Sequence, residues 1–358
     1  FINLVNSDEG DYTRYLFFYL NNLIKKKDFN NVLRASRKIN ALDSNLLIQQ
    51  TKQWIDNSNF NKFEDFFSCE NEADILAEFF FLISNFLAVD ENFEKSNFYS
   101  NISNYLNPKF YFNLTHLLEN YFENKNYKKT RKLLKNFNEE EEIYYWYKLK
   151  KISQIIHNEK NLNESLFYIE SKFKKYSNPS LKIIYDMANI YKRNEEFEKS
   201  IKYYSFLLEK LNANSEALAD VLYKRGSSYE RLKDYESSDK DLLKSLSIRP
   251  EDPYVLNYLG YSWLERGYKI QDAINMLDKA YNQKKNDPFI IDSVGWSYYL
   301  IGDFVNAEKF LKKAIQLMPN DPIVNDHYGD ILWKLDRKLQ ARYFWESVLN
   351  FKTTEDDM

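Results

Sequence analysis

The feature that most constrains this chain is one phrase stated four times between Ala219 and Asn350. "RGSSYERLKDYESSDKDLLKSLSIRPEDP" (Arg225 to Pro253) is followed by "LGYSWLERGYKIQDAINMLDKAYNQKKNDP" (Leu259 to Pro288), "VGWSYYLIGDFVNAEKFLKKAIQLMPNDP" (Val294 to Pro322) and "YGDILWKLDRKLQARYFWESVL" (Tyr328 to Leu349). Gly226, Gly260, Gly295 and Gly329 recur at spacings of 34, 35 and 34, and Pro250 and Pro319 stand 69 apart, which is two periods. A period of this length implies one supersecondary unit per repeat, which buries its apolar surface only by stacking on its neighbours.

Each unit reads as two helices. Gly226, Gly260, Gly295 and Gly329 on the first helix, and Ala273, Ala307 and Ala341 on the second, let two backbones approach. Tyr229, Trp263, Tyr298 and Leu332, with Leu277, Leu311 and Trp345 opposite, fill the space around them. Arg249-Pro250 and Met318-Pro319 end the second helix, because the residue before a proline is pushed out of helical geometry. Asp252-Pro253, Asp287-Pro288 and Asp321-Pro322 then supply a capping carboxylate and a proline at the first helical position.

The earlier chain carries fainter copies. Phe29, Phe197 and Tyr235 each follow a short polar turn, and this aromatic serves as a ruler. It places further units near Ser44 to Asp74 (Phe60), Ala77 to Phe110 (Phe93), Tyr111 to Ile143 (Tyr127), Trp146 to Pro179 (Leu162) and Leu181 to Asn214 (Phe197). About ten helix pairs tile the chain, behind a polar lead through Gly10. The expected organisation is a degenerate region, residues 1–214, and a regular region, residues 215–358, in one continuous solenoid. Ser215 to Leu218 are extra residues expected to lengthen the helix that follows.

Composition agrees with an all-α fold: 358 residues contain seven Gly and seven Pro against 29 Tyr and 27 Phe. Fifty basic and 53 acidic residues leave no electrostatic footprint for nucleic acid. Charge runs such as Glu139 to Glu142 read as solvated faces and a favourable helix start ahead of Ile143-Tyr144-Tyr145-Trp146, aromatics expected in the core. Cys69 is the single cysteine, which excludes an intramolecular disulfide. The densest apolar run, Phe79 to Ile83, suits a buried helix turn or two and is far short of the ~20 residues of a membrane span.

No catalytic constellation emerges. His116, His157 and His327 lack partners at metal spacing and read as structural or surface histidines. No serine stands on a strand-to-helix elbow, and the glycines recur at packing positions instead of clustering in a phosphate loop. No cofactor or metal is expected.

Small residue, aromatic three on, turn, alanine on the second helix and terminal proline together resemble the tetratricopeptide repeat. Ser238 and Ser245 depart from its preference for alanine, and Asp336 and Lys338 from its usual last turn. The resemblance implies a right-handed superhelical solenoid of antiparallel pairs, non-enzymatic, with peptide partners on a concave surface lined by first helices. The helical period then points Asn257, Tyr261 and Leu264, Asp292, Trp296 and Tyr299, and Asp326, Asp330 and Trp333 toward that surface, the alternative for Trp296 and Trp333 being packing between adjacent first helices. The family's carboxylate clamp needs Lys and Asn where this chain has Asn257, Asp292 and Asp326, so the expected ligand is a neutral or basic segment. The wording from Arg249 to Leu349 is similar to a bacterial subgroup that includes exported envelope adaptors presenting substrates to proteases. That implies an envelope setting, with a subunit of an enzyme complex or a cytoplasmic assembly factor as the alternatives.

Overall fold

The computed structural model describes residues 13–37, 39–40, 42–212 and 215–350. The polar lead through Gly10 lies outside them. Every regular element among the described residues is an α-helix, and the helices come in ten antiparallel pairs. In chain order these are α1 (Thr13–Lys25) with α2 (Phe29–Ser36), α3 (Leu46–Asp56) with α4 (Asn61–Phe66), α5 (Glu72–Val89) with α6 (Phe93–Leu106), α7 (Tyr111–Glu123) with α8 (Tyr127–Leu134), and α9 (Glu142–Glu159) with α10 (Leu162–Phe173). There follow α11 (Leu181–Arg193) with α12 (Phe197–Lys210), α13 (Glu216–Arg231) with α14 (Tyr235–Ile248), α15 (Pro253–Glu265) with α16 (Ile270–Gln283), α17 (Pro288–Leu300) with α18 (Phe304–Leu317), and α19 (Pro322–Lys334) with α20 (Lys338–Asn350). The chain divides into two compact units, residues 1–186 and 187–358.

The turn inside nine of the ten pairs has one recurring geometry, the α9–α10 turn, with Lys160 at φ −130°, being the exception. Lys27, Ser58, Glu91, Lys125, Glu195, Lys233, Gly267, Gly302 and Asp336 all have positive φ, between 54° and 83°. At Lys233 the backbone N–H donates to Glu230 O at 2.7 Å and that of Asp234 to Tyr229 O at 3.0 Å, so a left-handed residue closes the first helix and satisfies its last carbonyls. The left-handed residue stands two before Phe29, Phe60, Phe93, Tyr127, Phe197 and Tyr235, so the aromatic ruler marks the true register even in the weak repeats. Starts are set locally too: Asp252, Asp287 and Asp321 cap α15, α17 and α19 with their side chains, each ahead of a proline. Ser215 caps α13, which at 16 residues is longer than the 13 of α15, as the extra residues imply.

In residues 187–358 the core is the repeated small-and-large packing. Leu242, Val255, Leu259, Trp263, Ala273, Leu277 and Val294 form one buried cluster, and Ile291, Ala307, Leu311, Tyr328, Leu332 and Ala341 the next. A methyl group added at Gly295 would stand 2.7 Å from Leu311 Cγ and 3.0 Å from Leu311 N, so glycine there is a requirement of close approach. The two departures from alanine differ in outcome. Ser245 Oγ donates to Ala219 O at 2.8 Å, whereas Ser238 Oγ is buried with no hydrogen-bond partner among the described residues.

In residues 1–186 the cores are aromatic, with Phe17, Trp54, Phe63, Phe66 and Phe110 in one cluster and Phe137, Tyr144 and Tyr147 in another. Tyr144 and Trp146 are buried, as expected. The α5–α6 pair is the exception. Its interior is polar: Ser84 Oγ meets Ser96 Oγ at 2.9 Å and Ser100 Oγ at 2.5 Å, Ser103 Oγ donates to Ala77 O at 2.7 Å, and Asn120 Nδ2 donates to Ser96 Oγ at 2.7 Å. The expectation that Phe79 to Ile83 forms buried turns is therefore corrected. Phe81 is buried, but Phe79 is 55% exposed and Leu82 41%, because small serines occupy the contact between the helices and the larger side chains of α5 point away from it.

Candidate functional site

The first helices α13, α15, α17 and α19 lie side by side, so residues at equivalent positions fall in rows across them. Three rows on α15, α17 and α19 are those read from the sequence. Asn257 and Tyr261 are half-buried on α15, and Leu264 is buried in the core beside Trp263 instead of lining the face. On α17 Asp292 is buried, while Trp296 and Tyr299 are half-buried. On α19 Asp326 and Trp333 are exposed and Asp330 is half-buried.

Trp296 draws three helices together. Its indole lies flat against the imidazole of His327 on α19, centroids 4.0 Å apart and planes 12° from parallel, and against Tyr299 of its own helix at 4.6 Å and 10°. Its Nε1–H donates to Glu265 Oε1 on α15 at 2.5 Å. His327 Nδ1 meets Asp292 Oδ2 at 2.8 Å, and the Tyr261 ring lies 6.5 Å from the imidazole. Trp333 stands apart from this stack, packed on Trp345 of α20 at 5.4 Å with the Lys338 ammonium over its ring.

Electrostatics follow from burial in an acidic setting. Burial opposes the charged form of His327, but the hydrogen bond and charge of Asp292, with Asp326 and Glu265 beyond, outweigh it and hold the imidazole above its ordinary value. Burial, with the neighbouring Asp326 carboxylate, raises Asp330 as well. Burial, with Glu265 and Asp292 nearby, raises Tyr261. Further along the first helices the sign of the charge changes: burial, with Lys224 close by, lowers Lys192 to about 8, and its ammonium donates to Ser227 Oγ.

Two acceptors within the rows are buried with no hydrogen-bond partner among the described residues, Asn257 Oδ1 and Asp292 Oδ1. Such atoms are costly to leave unmet, by roughly 1–3 kcal/mol each, and a ligand donor would relieve that cost.

Sequence reasoning missed three parts of this face. His327, which reads from the sequence as a structural or surface histidine, is buried, and its partners Asp292 and Trp296 were not foreseen. Glu265 follows Leu264 directly and carries the bond to Trp296. Tyr254, Phe289 and Ile323, each three residues before Asn257, Asp292 and Asp326, form an exposed apolar row (50%, 57% and 58%). The same period of 35 and 34 that located the acidic row would have located this one.

Among the described residues, no group of three or more His, Cys, Asp or Glu side chains is arranged to hold a metal. None of the helices there is long and apolar enough to cross a membrane. Cys69 is exposed.

Comparison with known proteins agrees with this architecture. Residues 219–252 match the tetratricopeptide repeat family. The chain is 33% identical over 111 residues to a TPR repeat-containing protein of Pseudomonas aeruginosa, an alignment that covers 31% of this chain and 19% of that protein. It is 22% identical over 126 residues to anaphase-promoting complex subunit 3 of Schizosaccharomyces pombe, covering 35% of this chain and 17% of the relative. The chain thus spans less than a fifth of the length of either relative. A solved tetratricopeptide repeat protein from Parabacteroides merdae shares the fold, with a TM-score of 0.54 over 68% of this chain and 94% of that one, at 17% identity.

Proposed function

We propose that this tetratricopeptide-repeat chain is a non-enzymatic scaffold or adaptor that holds a neutral or basic segment of a partner protein on the face shared by α15, α17 and α19. The observation that carries this reading is the meeting, on one face, of an apolar row and a row of acceptors. Tyr254, Phe289 and Ile323 supply exposed contact area, and the unmet oxygens of Asn257 and Asp292 lie one helical turn away. Glu265, Asp326 and Asp330 add negative potential that attracts lysine or arginine and repels a terminal carboxylate. We place this work in assembly of a cell-envelope complex or delivery of substrates to a protease, on the strength of the bacterial wording of the last three repeats.

Peptide arrays graded in charge test it, followed by titration of the best ligand into the wild-type chain and into Trp296→Ala with Asp326→Lys. Neutral and basic peptides should bind best, and the double variant should weaken them at least tenfold, about 1.4 kcal/mol. Preference for acidic carboxyl termini, or an unchanged affinity in the variant, would overturn the reading.

A further inference from the structure

The α5–α6 pair carries an apolar surface that none of the described residues of 1–186 covers. On α5 the exposed large apolar side chains are Ile75, Leu76, Phe79, Leu82, Phe86 and Val89, and on α6 they are Phe98 and Tyr105. The two helices contribute to one patch, because Phe79 packs edge-on against Phe80, Phe80 stacks on Tyr99 at 6.0 Å, and Tyr99 meets Phe98 at 5.3 Å. Between Asp74 and Asp90 the sole charged residue is Glu78, which turns inward to Arg14 (Oε1 to Nε 2.8 Å), so the patch itself is free of charge.

Its spacing names the shape of what fits it. Ile75, Phe79, Leu82, Phe86 and Val89 advance by 4, 3, 4 and 3 residues, the heptad seam with which one helix packs along another. The buried contact with α6 is made by Ser84, Ser96, Ser100 and Ser103, so this seam is additional to the one that builds the pair.

We propose that the α5 seam is a dimer interface, pairing with α5 of a second copy of this chain, with Phe98 and Tyr105 flanking it. The area matches. Eight side chains, 41% to 85% exposed, leave on the order of 1,000 Å² open at ~200 Å² per large side chain, about one side of a standard-size interface. A charge-free row is complementary to itself, as a two-fold contact requires, and its burial strands no charge. An antiparallel setting is favoured, since it opposes the helix dipoles. A lipid surface fits less well, because the rim is acidic, with Glu72, Asp90, Glu91 and Glu94 against Lys95.

Sedimentation equilibrium of the full chain tests the proposal. The wild type should dimerise below about 100 μM, and Phe79→Asp with Phe86→Asp should weaken association at least ~100-fold. Helicity should stay unchanged, as should melting at concentrations where the wild type is monomeric, since both side chains are exposed. Phe79→Lys with Phe86→Lys should be monomeric alone, as should Phe79→Glu with Phe86→Glu, and a 1:1 mixture of the two should recover a heterodimer. A monomeric wild type, a dimer indifferent to these changes, or a monomer that floats with phosphatidylcholine vesicles through this patch would overturn it.

Discussion

The imidazole of His327 lies on the indole of Trp296, centroids 4.0 Å apart, while its Nδ1 is held 2.8 Å from Asp292 Oδ2. A residue of one repeat is thus clamped by two residues of the preceding one, and the stack ties α17 to α19 at the face proposed to meet a partner. A protonated imidazole over an indole adds an electrostatic attraction to the ion pair beneath it.

This geometry makes stability depend on pH in a stated direction. The folded chain holds His327 above the unfolded value of about 6.5, with Asp292 on α17, Glu265 on α15 and Asp326 on α19 as the groups responsible, against the opposing effect of burial. The contribution is fully present below about pH 6.5 and is lost as pH rises through the folded value. Melting temperatures across pH 5.5 to 8.5 should fall over that range, and Asp292→Asn should flatten the profile while costing about 1–3 kcal/mol at low pH. A variant profile parallel to that of the wild type would refute the assignment.

Gly295→Ala should destabilise by about 1–3 kcal/mol, because the new methyl would press on Leu311 Cγ and on the Leu311 backbone together, and the backbone of α18 cannot swing aside as a side-chain tip can. Chemical denaturation measures this. Gly302→Ala serves as the contrast: nothing lies within 4 Å there, so its cost arises from a φ of +83° and not from crowding.

Lys233→Gly should stabilise the chain by up to about 1 kcal/mol, since Lys233 holds a φ of 61° that glycine adopts without a clash between Cβ and its own carbonyl. A rise in the denaturation midpoint at constant slope is the expected readout, with Gly267 and Gly302 as the natural precedents in the same turn.

Much of the fold was legible because its determinants are local. Asp252, Asp287 and Asp321 capping the turn before a proline, and the aromatic two residues after seven of the nine left-handed turn residues, act within a few residues of chain, and local chemistry is written in order along a sequence. The recurrence of Gly226, Gly260, Gly295 and Gly329 then supplied the long-range rule, since equal units stack equally. The positive φ of Lys27, Ser58, Glu91 and Lys125 was not legible: no residue type announces it there, and the turn is imposed by the two helices it joins.

The site was legible by row and not by contact. Helical period placed Asp292, Trp296 and Tyr299 on one face, but whether Leu264 reaches that face or sinks beside Trp263 depends on how far α15 is rotated against its neighbours, and the structure buries it. His327 had no partner within reach along the chain, and its partner lies 35 residues away on another helix.

By itself, then, the sequence determined the unit, its period, its caps and the all-α class, because these depend on residues a turn or two apart. The tertiary structure alone decided which carboxylate meets the histidine, which leucine is core, and that α5 closes on α6 through serines and leaves Phe79 and Phe86 facing outward. Those outcomes rest on the rotation and spacing of helices against one another. They are settled by the best total packing and hydrogen bonding across the whole unit, which no local stretch of chain encodes.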